Sequence, residues 1–114
     1  MIYHITSRGE WNLAQSEGVY RCGSLPVDGF IHCSTKDQLL DVANALFRGH
    51  TDLVLLCIDP QLVEAEIKYE DLYEAMKLYP HIYGGLNLNS VHSAVEFPPS
   101  PDGTFSLPDE IARQ

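Results

Sequence analysis

A histidine close to hydroxyl groups marks one segment of the chain as a candidate site. His32 ends an apolar stretch and is followed closely by Ser34, Thr35 and Lys36. Both hydroxyl residues are good helix N-caps, and a strand that runs into a capped helix presents free backbone N–H groups, which bind anions. An imidazole, two hydroxyl groups and an ammonium group at that place favour a polar binding site that includes His32 and Ser34.

His4 is a second candidate, since it lies between Tyr3 and Ile5 in the first predicted strand. A histidine in a strand can also be a structural residue that one hydrogen bond satisfies. The residues alone leave both interpretations of His4 open.

A third group of candidates lies in residues 79–85, where a proline and two glycines predict a loop. His81 supplies a ring that can transfer protons, and Tyr83 supplies a ring that can stack; the alternative is an ordinary surface turn. Glu70 and Glu96 are carboxylates on segments that are expected to be ordered, and either is a candidate general base. The sequence does not rank one above the other.

Cys33 is predicted to be a core residue rather than a nucleophile. It directly follows His32, and adjacent strand residues point to opposite faces, so the two side chains cannot pair within the strand. A zinc site of three histidines and a cysteine would lack the paired short spacings of such sites, so no metal is predicted. The three cysteines, at positions 22, 33 and 57, form no CxxC pair, which favours reduced thiols in a cytoplasmic protein.

The acidic composition argues against polyanions as partners of the protein. The 114 residues carry a formal net charge of −9, with seven Lys and Arg against sixteen Asp and Glu. Sequence-independent binding to nucleic acids depends on Lys and Arg contacts to phosphate, so long nucleic acids and anionic membranes are not expected as partners. The N-terminus shows no basic region followed by an apolar run, and no apolar stretch approaches the ~20 residues of a membrane span.

The residue pattern predicts an α+β fold in a single compact domain, with a mixed, mostly antiparallel sheet and two main helices. Alternating or unbroken apolar runs predict strands at residues 1–6, 19–22, 29–34, 53–58, 67–72 and 91–97. Capping-box spacing at Ser7 and Glu10, and again at Thr35 and Gln38, predicts helices that end near residues 18 and 48. The domain is expected to span residues 1–99, and residues 100–114 to form a loosely attached tail with one helical turn.

Residues 2–97 contain a series of short motifs, namely Ile2-Tyr3-His4-Ile5, Trp11, Gly29-Phe30-Ile31-His32-Cys33-Ser34, Gln38, the apolar residues 53–59, Tyr69-Glu70, Pro80-His81-Ile82-Tyr83-Gly84 and Leu86. In these motifs the chain resembles the domain-of-unknown-function family numbered 952.

A more distant resemblance implies a fold and an activity. The Tyr-His-x-Thr motif around His4 is similar to the first motif of ADP-ribosyltransferase folds, in which the histidine contacts the ribose of NAD. Residues 31–34, the next helix and residues 54–59 are similar to a run in RNA 2′-phosphotransferases, which share that fold and use NAD. The resemblance implies an ADP-ribosyltransferase-like fold with an NAD cleft lined by His4, Thr6, His32 and Ser34.

The expected function is therefore binding of NAD or a related nucleotide, with ADP-ribosyl- or phosphotransferase-like chemistry. His32, His81 and Glu70 are the expected catalytic residues, and Tyr83 would stack on the ligand. The alternatives are a non-catalytic ligand-binding module of the same fold and a protein-interaction domain whose acidic half meets a basic partner.

The charge distribution restricts the ligand further. Residues 1–50 carry a net charge of −1 and residues 51–114 a net charge of −8. Arg8, Arg21 and Lys36 lie close in sequence to the candidate site. A small anionic nucleotide-type ligand such as NAD therefore suits the first half, whereas a long RNA would also have to cross the acidic half.

Overall fold

The strand Leu53–Ile58 lies at the centre of the fold, and all six of its residues are buried. The computed structural model describes residues 1–72, 74 and 76–114. Its strands are β1 Ile2–Ser7, β2 Val19–Tyr20, β3 Ile31–His32, β4 Leu53–Ile58, β5 Glu66–Glu70, β6 Tyr79–Tyr83, β7 Leu86–Asn87 and β8 Val91–Glu96. Its α-helices are α1 Arg8–Glu17, α2 Ser24–Asp28, α3 Lys36–Leu46 and α4 Asp109–Ala112.

The strands form three antiparallel sheets in the described part of the chain. Their orders are β1-β4-β8, β3-β6-β5 and β2-β7. The backbones of Tyr3 and Ser34 exchange two hydrogen bonds of 2.8 Å, which join the edge of the first sheet to the segment that follows β3. The predicted α+β class with mostly antiparallel strands in one compact domain is confirmed.

The central sheet has a hydrophobic core on each face, because side chains alternate along β4. Val54, Leu56 and Ile58 pack into a cluster with residues of α1, β3 and β6. The alternate residues of β4 pack with α3 and with the C-terminal segment. An unbroken apolar run is the sequence that such a two-sided position requires.

The two predicted main helices are present, and one cap differs from its prediction. Gln38 Oε1 accepts a hydrogen bond of 3.0 Å from the backbone N–H of Thr35, as a capping box requires. At α1, Ser7 Oγ accepts from the N–H of Glu10 (3.1 Å), but the Glu10 carboxylate binds Thr6 instead of returning to Ser7. This cap is half of a capping box, and the freed carboxylate belongs to the site described below.

The prediction of a loop at residues 79–85 is wrong, because residues 79–83 form strand β6. His81 and Ile82 are fully buried and pair with β3 on one side and β5 on the other. Pro80 lies near the start of the strand, where a missing N–H is tolerated, and its carbonyl accepts from the N–H of Cys33 (3.0 Å). Tertiary pairing and burial therefore outweigh the proline and glycine signal. Pro26 likewise lies within an ordered element, the short helix α2.

Residues 100–114, expected to be a loosely attached tail, pack against the domain. Phe105 and Ile111 belong to the α3-side core, and the Phe105 ring stacks on Phe97 at 4.8 Å between centroids. Lys36 Nζ donates to the carbonyl oxygens of Ala112 (3.1 Å) and Gln114 (2.7 Å). The expected helical turn is present as α4.

None of the helices in the described ranges has the length and apolar character that crossing a membrane requires.

Candidate functional site

A cavity of about 850 Å³ lies against β1 and is lined also by residues of α1, β3, α3 and the segment from Tyr20 to Ser24. This volume falls within the range of roughly 300–1,000 Å³ that is typical of small-molecule sites. The lining is mostly apolar, with a few histidine, hydroxyl and carboxylate groups. A site of this kind can hold a ligand with an apolar body and a few polar groups.

The alternation of β1 and the turn after α1 bring three polar side chains of the cavity together. His4 and Thr6 are two residues apart, so they share one face of the strand. Helix α1 ends at Glu17, and the φ of +82° at the C-cap residue Gly18 allows the chain to turn back so that Tyr20 of β2 lies over this face. Tyr20 is buried, so its hydroxyl group needs hydrogen-bond partners within the protein.

These side chains form a continuous line of hydrogen bonds. His4 Nδ1 lies 2.6 Å from the carbonyl oxygen of His32, and His4 Nε2 lies 2.7 Å from the Tyr20 hydroxyl. The Tyr20 hydroxyl lies 2.9 Å from Thr6 Oγ1, which lies 3.0 Å from Glu10 Oε2. We call His4, Thr6, Glu10 and Tyr20 the cavity cluster.

Burial determines the charge of His4 and Tyr20, two buried residues at the inner end of the cavity cluster. It lowers the pKa of His4 to about 4, because the charged ring is deprived of water. Burial also raises the pKa of Tyr20. The His4 ring is therefore neutral near pH 7, with its proton on Nδ1, where the carbonyl oxygen of His32 accepts it. Nε2 then carries no proton and can only accept a hydrogen bond.

One backbone position at the cavity has unusual hydrogen-bonding capacity. In an antiparallel pair, alternate residues turn their N–H and C=O groups away from the partner strand. The bonds of Tyr3 to Ser34 show that Tyr3 is such a residue of β1. Ile5, two residues on, therefore turns its N–H and C=O away from β4, and Ile5 lines the cavity. It offers one donor and one acceptor side by side.

The charged residues of the cavity lining are acidic. Glu10 and Asp41 contribute carboxylates, and the described residues that line the cavity include no lysine or arginine. Arg8 instead pairs with Glu96 on the surface. Lys36 donates to the C-terminal carbonyl groups, and Arg21 lies outside the lining. The cavity therefore suits a ligand group that is neutral or positively charged.

A second group of candidate residues lies on the other side of His32, around the ring of Phe30. The Phe30 ring stacks on His81 with centroids 4.2 Å apart, and lies 4.7 Å from the His32 ring and 5.1 Å from Tyr83. The rings of His32 and His81 lie edge to face, with their centroids 5.6 Å apart. We call the set of these four residues and Glu70 the aromatic cluster.

Glu70 holds the aromatic cluster together through one oxygen atom. Glu70 Oε1 accepts from the Tyr83 hydroxyl (2.6 Å) and lies 3.0 Å from Nδ1 of the fully buried His81. These two hydrogen bonds lower the pKa of the Glu70 carboxyl, because they stabilise its charged form. At the exposed end of the cluster, His32 Nε2 lies 2.9 Å from Asp28 Oδ2.

The structure thus separates the residues that the sequence grouped into one site. His4, Thr6, His32 and Ser34 line the cavity. The other three, His81, Tyr83 and Glu70, do not line it; the His81 ring contacts the His32 ring, and Glu70 is bonded to His81 and Tyr83. The roles expected for these seven residues stay predictions.

Sequence reasoning missed Glu10, Tyr20 and Phe30 as site residues. Glu10 was expected to cap its own helix, and Tyr20 lies on a predicted strand whose approach to His4 depends on the turn at Gly18. Phe30 read only as an apolar strand residue. The one usable signal was the spacing of His4 and Thr6, which share a strand face and need polar partners.

The cysteines are structural, as predicted for Cys33. All three are buried and free, and burial raises the pKa of Cys33. Burial also raises the pKa of Cys57, so the thiols of Cys33 and Cys57 are poor nucleophiles. The described residues contain no group of three or more His, Cys, Asp or Glu side chains that could hold a metal ion.

The fold and the site define a small α+β protein with a cavity of ligand size. Residues 5–94 match the model of the family described as protein of unknown function (DUF952), and the chain belongs to this family. A comparison with curated proteins found no match.

Solved structures of one relative share the fold. The crystal structure of protein CC0527 from Caulobacter crescentus is 32% identical, with a TM-score of 0.88 and coverage of 97% of both chains. A crystal structure of a double mutant of CC0527 gives 31% identity, a TM-score of 0.83 and 97% coverage of both chains. Its solution NMR structure gives 30% identity and a TM-score of 0.76, covering 99% of this chain and 97% of the relative.

Proposed function

We propose that the cavity binds the nicotinamide–ribose end of NAD or a related nucleotide, and that the protein transfers the ADP-ribosyl group of such a ligand. The observation that carries the proposal is the composition of the cavity wall. It combines the backbone donor and acceptor of Ile5, the acidic side chains of Glu10 and Asp41, and the hydroxyl groups around His4.

The Ile5 backbone matches the amide group of nicotinamide. A carboxamide presents one acceptor and donors on the same edge, and a strand edge presents an N–H and a C=O on the same edge. Two hydrogen bonds between them would fix the ring against β1, as an added strand residue is fixed. Apolar walls on either side would cover the faces of the ring.

The acidic lining matches the charge of this end of the ligand. The nicotinamide ring of NAD is positively charged, and cleavage of the bond from nicotinamide to ribose places positive charge on the sugar. A carboxylate held near that sugar stabilises the charge as it develops. Glu10 and Asp41 supply carboxylates to the lining.

His32 would contact the ligand, and the rest of the aromatic cluster would position it. His32 lines the cavity and rests against the rings of Phe30 and His81. Glu70 in turn fixes His81. In this proposal His81, Glu70 and Tyr83 act through His32, within an ADP-ribosyltransferase-like fold. The buried, unpaired cysteines suit the reducing cytoplasm.

Calorimetric titration with NAD tests the proposal. The natural protein should bind NAD, and Glu10→Gln should weaken binding about tenfold, equivalent to ~1.4 kcal/mol. The matched control is Glu17→Gln, which makes the same change on the same helix outside the cavity lining. No heat with the natural protein, or equal affinity of Glu10→Gln, His32→Ala and the control, would contradict the proposal.

A second candidate function is a non-catalytic binding module with the same cavity. It is favoured by Glu70, whose carboxylate is committed to Tyr83 and His81 and does not line the cavity. Nicotinamide release from saturating NAD separates the two functions. A transferase should release nicotinamide when an acceptor or water is present, whereas a binding module should show thermal stabilisation by NAD without release over hours.

A further inference from the structure

The hydrogen bonds of the cavity cluster need more protons than its groups ordinarily carry. His4 Nδ1 must carry a proton, because its partner is a carbonyl oxygen, which only accepts. Three contacts remain, namely His4 to Tyr20, Tyr20 to Thr6 and Thr6 to Glu10. With His4 neutral and Glu10 ionised, only two hydroxyl protons are available for them. The line is one proton short.

One added proton completes all of these bonds, and it can do so in two ways. With the proton on His4, the imidazolium donates to Tyr20, Tyr20 to Thr6 and Thr6 to the Glu10 carboxylate. With the proton on Glu10, the carboxyl donates to Thr6, Thr6 to Tyr20 and Tyr20 to His4 Nε2. The two arrangements differ by the shift of three protons, each across at most 3.0 Å. For each O–H or N–H bond that breaks, one forms.

We propose that His4, Tyr20, Thr6 and Glu10 form a proton relay that takes up a single shared proton, with Glu10 as its end on the cavity. The relay rests on geometry alone. Its use rests on the proposed function: the cavity exchanges this proton for the positively charged ring of the ligand.

The surroundings of the relay make Glu10 the residue at which a proton enters or leaves it. Glu10 is exposed, whereas the His4 ring, which also lines the cavity, is buried, and its hydrogen-bond partners among the described residues are Tyr20 and the His32 carbonyl. Burial, which lowers the pKa of His4 to about 4, disfavours the arrangement with the proton on the His4 ring.

The titratable groups that face His4 and Tyr20 come from three elements. They are Glu10 of α1, Cys22 directly after β2, and His32 and Cys33 at β3. Of these, Glu10 alone is hydrogen-bonded into the line through a side chain; His32 enters it through its backbone carbonyl. A proton reaching His4 along this line therefore passes through Glu10.

A ligand-free NMR titration tests the relay. The carboxyl-carbon resonance of Glu10 and the ring-nitrogen resonances of His4 should change together in one step as the pH is varied, because coupled groups titrate as a unit. Thr6→Val keeps both charges and removes the connecting hydroxyl, so the two groups should then titrate in separate steps. Thr51→Val makes the same change at an exposed position outside the relay and should retain the common step.

Independent steps in the natural protein would overturn the relay, and so would a common step that persists in Thr6→Val. The titration of the natural protein decides the question by itself if Thr6→Val does not fold. The exchange of proton for ligand has its own readout, since the affinity for NAD should fall about tenfold per pH unit below the midpoint of the step. A pH-independent affinity would overturn the exchange. Absence of NAD binding would contradict the proposed function, and the ligand-free titration would still decide the relay.

Discussion

The cavity cluster and the aromatic cluster meet at His32 but are built differently. On the cavity side, the His32 carbonyl ends a line of hydrogen bonds that leads to the exposed Glu10. On the other side, the His32 ring packs against the rings of Phe30 and His81, and His81 is fully buried. The cavity cluster has an open end at which a ligand or a proton can enter, whereas His81 in the aromatic cluster is closed off from solvent.

This difference separates two uses of a buried histidine. Both rings are hydrogen-bonded, and all buried side-chain nitrogen and oxygen atoms of the described residues have partners. His4 is satisfied by hydroxyl and carbonyl groups, so its line of bonds can reverse direction. His81 is satisfied by a carboxylate and packed by an aromatic face. We therefore expect substitutions of His81, Tyr83 and Glu70 to change mainly stability, and those of His32 and of the cavity cluster to change binding as well.

The largest expected effect is that of His81→Ala. It removes a fully buried ring from between Phe30 and Glu70, and leaves a cavity in the β3-β6-β5 sheet. We expect a loss of roughly 3 kcal/mol in the free energy of unfolding, measured by chemical denaturation. The exposed His92 of β8 is the control, and His92→Ala should cost less than about 0.5 kcal/mol. A loss of that small size for His81→Ala would show that the aromatic cluster is not structural.

A matched pair of Tyr→Phe substitutions compares the two clusters directly. Tyr20→Phe removes the hydroxyl that joins His4 to Thr6 in a buried place, and should cost roughly 1.5 kcal/mol and weaken NAD binding. Tyr83→Phe removes a hydroxyl whose partner, Glu70, is partly exposed to water. It should cost less stability and leave NAD affinity within twofold.

Denaturation and calorimetry on the same two proteins give the result. Equal losses of NAD affinity in Tyr20→Phe and Tyr83→Phe would show that both clusters act on the ligand alike, and would contradict the expectation that Tyr83 affects mainly stability.

The smallest expected effect is on the pH dependence of stability. The Tyr83 and His81 hydrogen bonds lower the pKa of Glu70 in the folded protein, so its stabilisation is present above the ordinary carboxyl value and is lost as the pH falls through the lowered pKa. Glu70→Gln should therefore flatten the decline of Tm between neutral pH and about pH 3.

Glu66→Gln, an exposed change on the same strand, is the control and should leave the decline unchanged. An identical decline in Glu70→Gln would show that the hydrogen bonds to Glu70 contribute no acid-sensitive stability.

Local sequence signals predicted the elements that position the site. The unbroken apolar run of β4 and the helical periodicity of α3 each follow from the burial that they need, so both were predictable. Strand β6 was not, since Pro80 and the glycines after Tyr83 are turn residues by every local criterion. Its burial depends on pairing with β3 and β5, which no local pattern contains. The same holds for Phe105 and Ile111, core residues in a segment rich in proline and polar residues.

The candidate site was predictable only in part, for a related reason. His4 and His32 stood out because polar groups interrupt apolar strands. Tyr20 and Glu10 reach them through the turn at Gly18 and the first turn of α1, and these contacts are made in three dimensions. The separation of His81 from the cavity likewise depends on the position of Phe30 between the sheets.

The most direct test of the proposed function is to map NAD binding by backbone and side-chain NMR shifts of the labelled protein. The proposal predicts that NAD shifts the resonances of Ile5, Thr6, Glu10 and Ser34, which line the cavity, and leaves Glu70 and Tyr83 nearly unchanged. Shifts centred on Glu70 and Tyr83, or no shifts at saturating NAD, would contradict it.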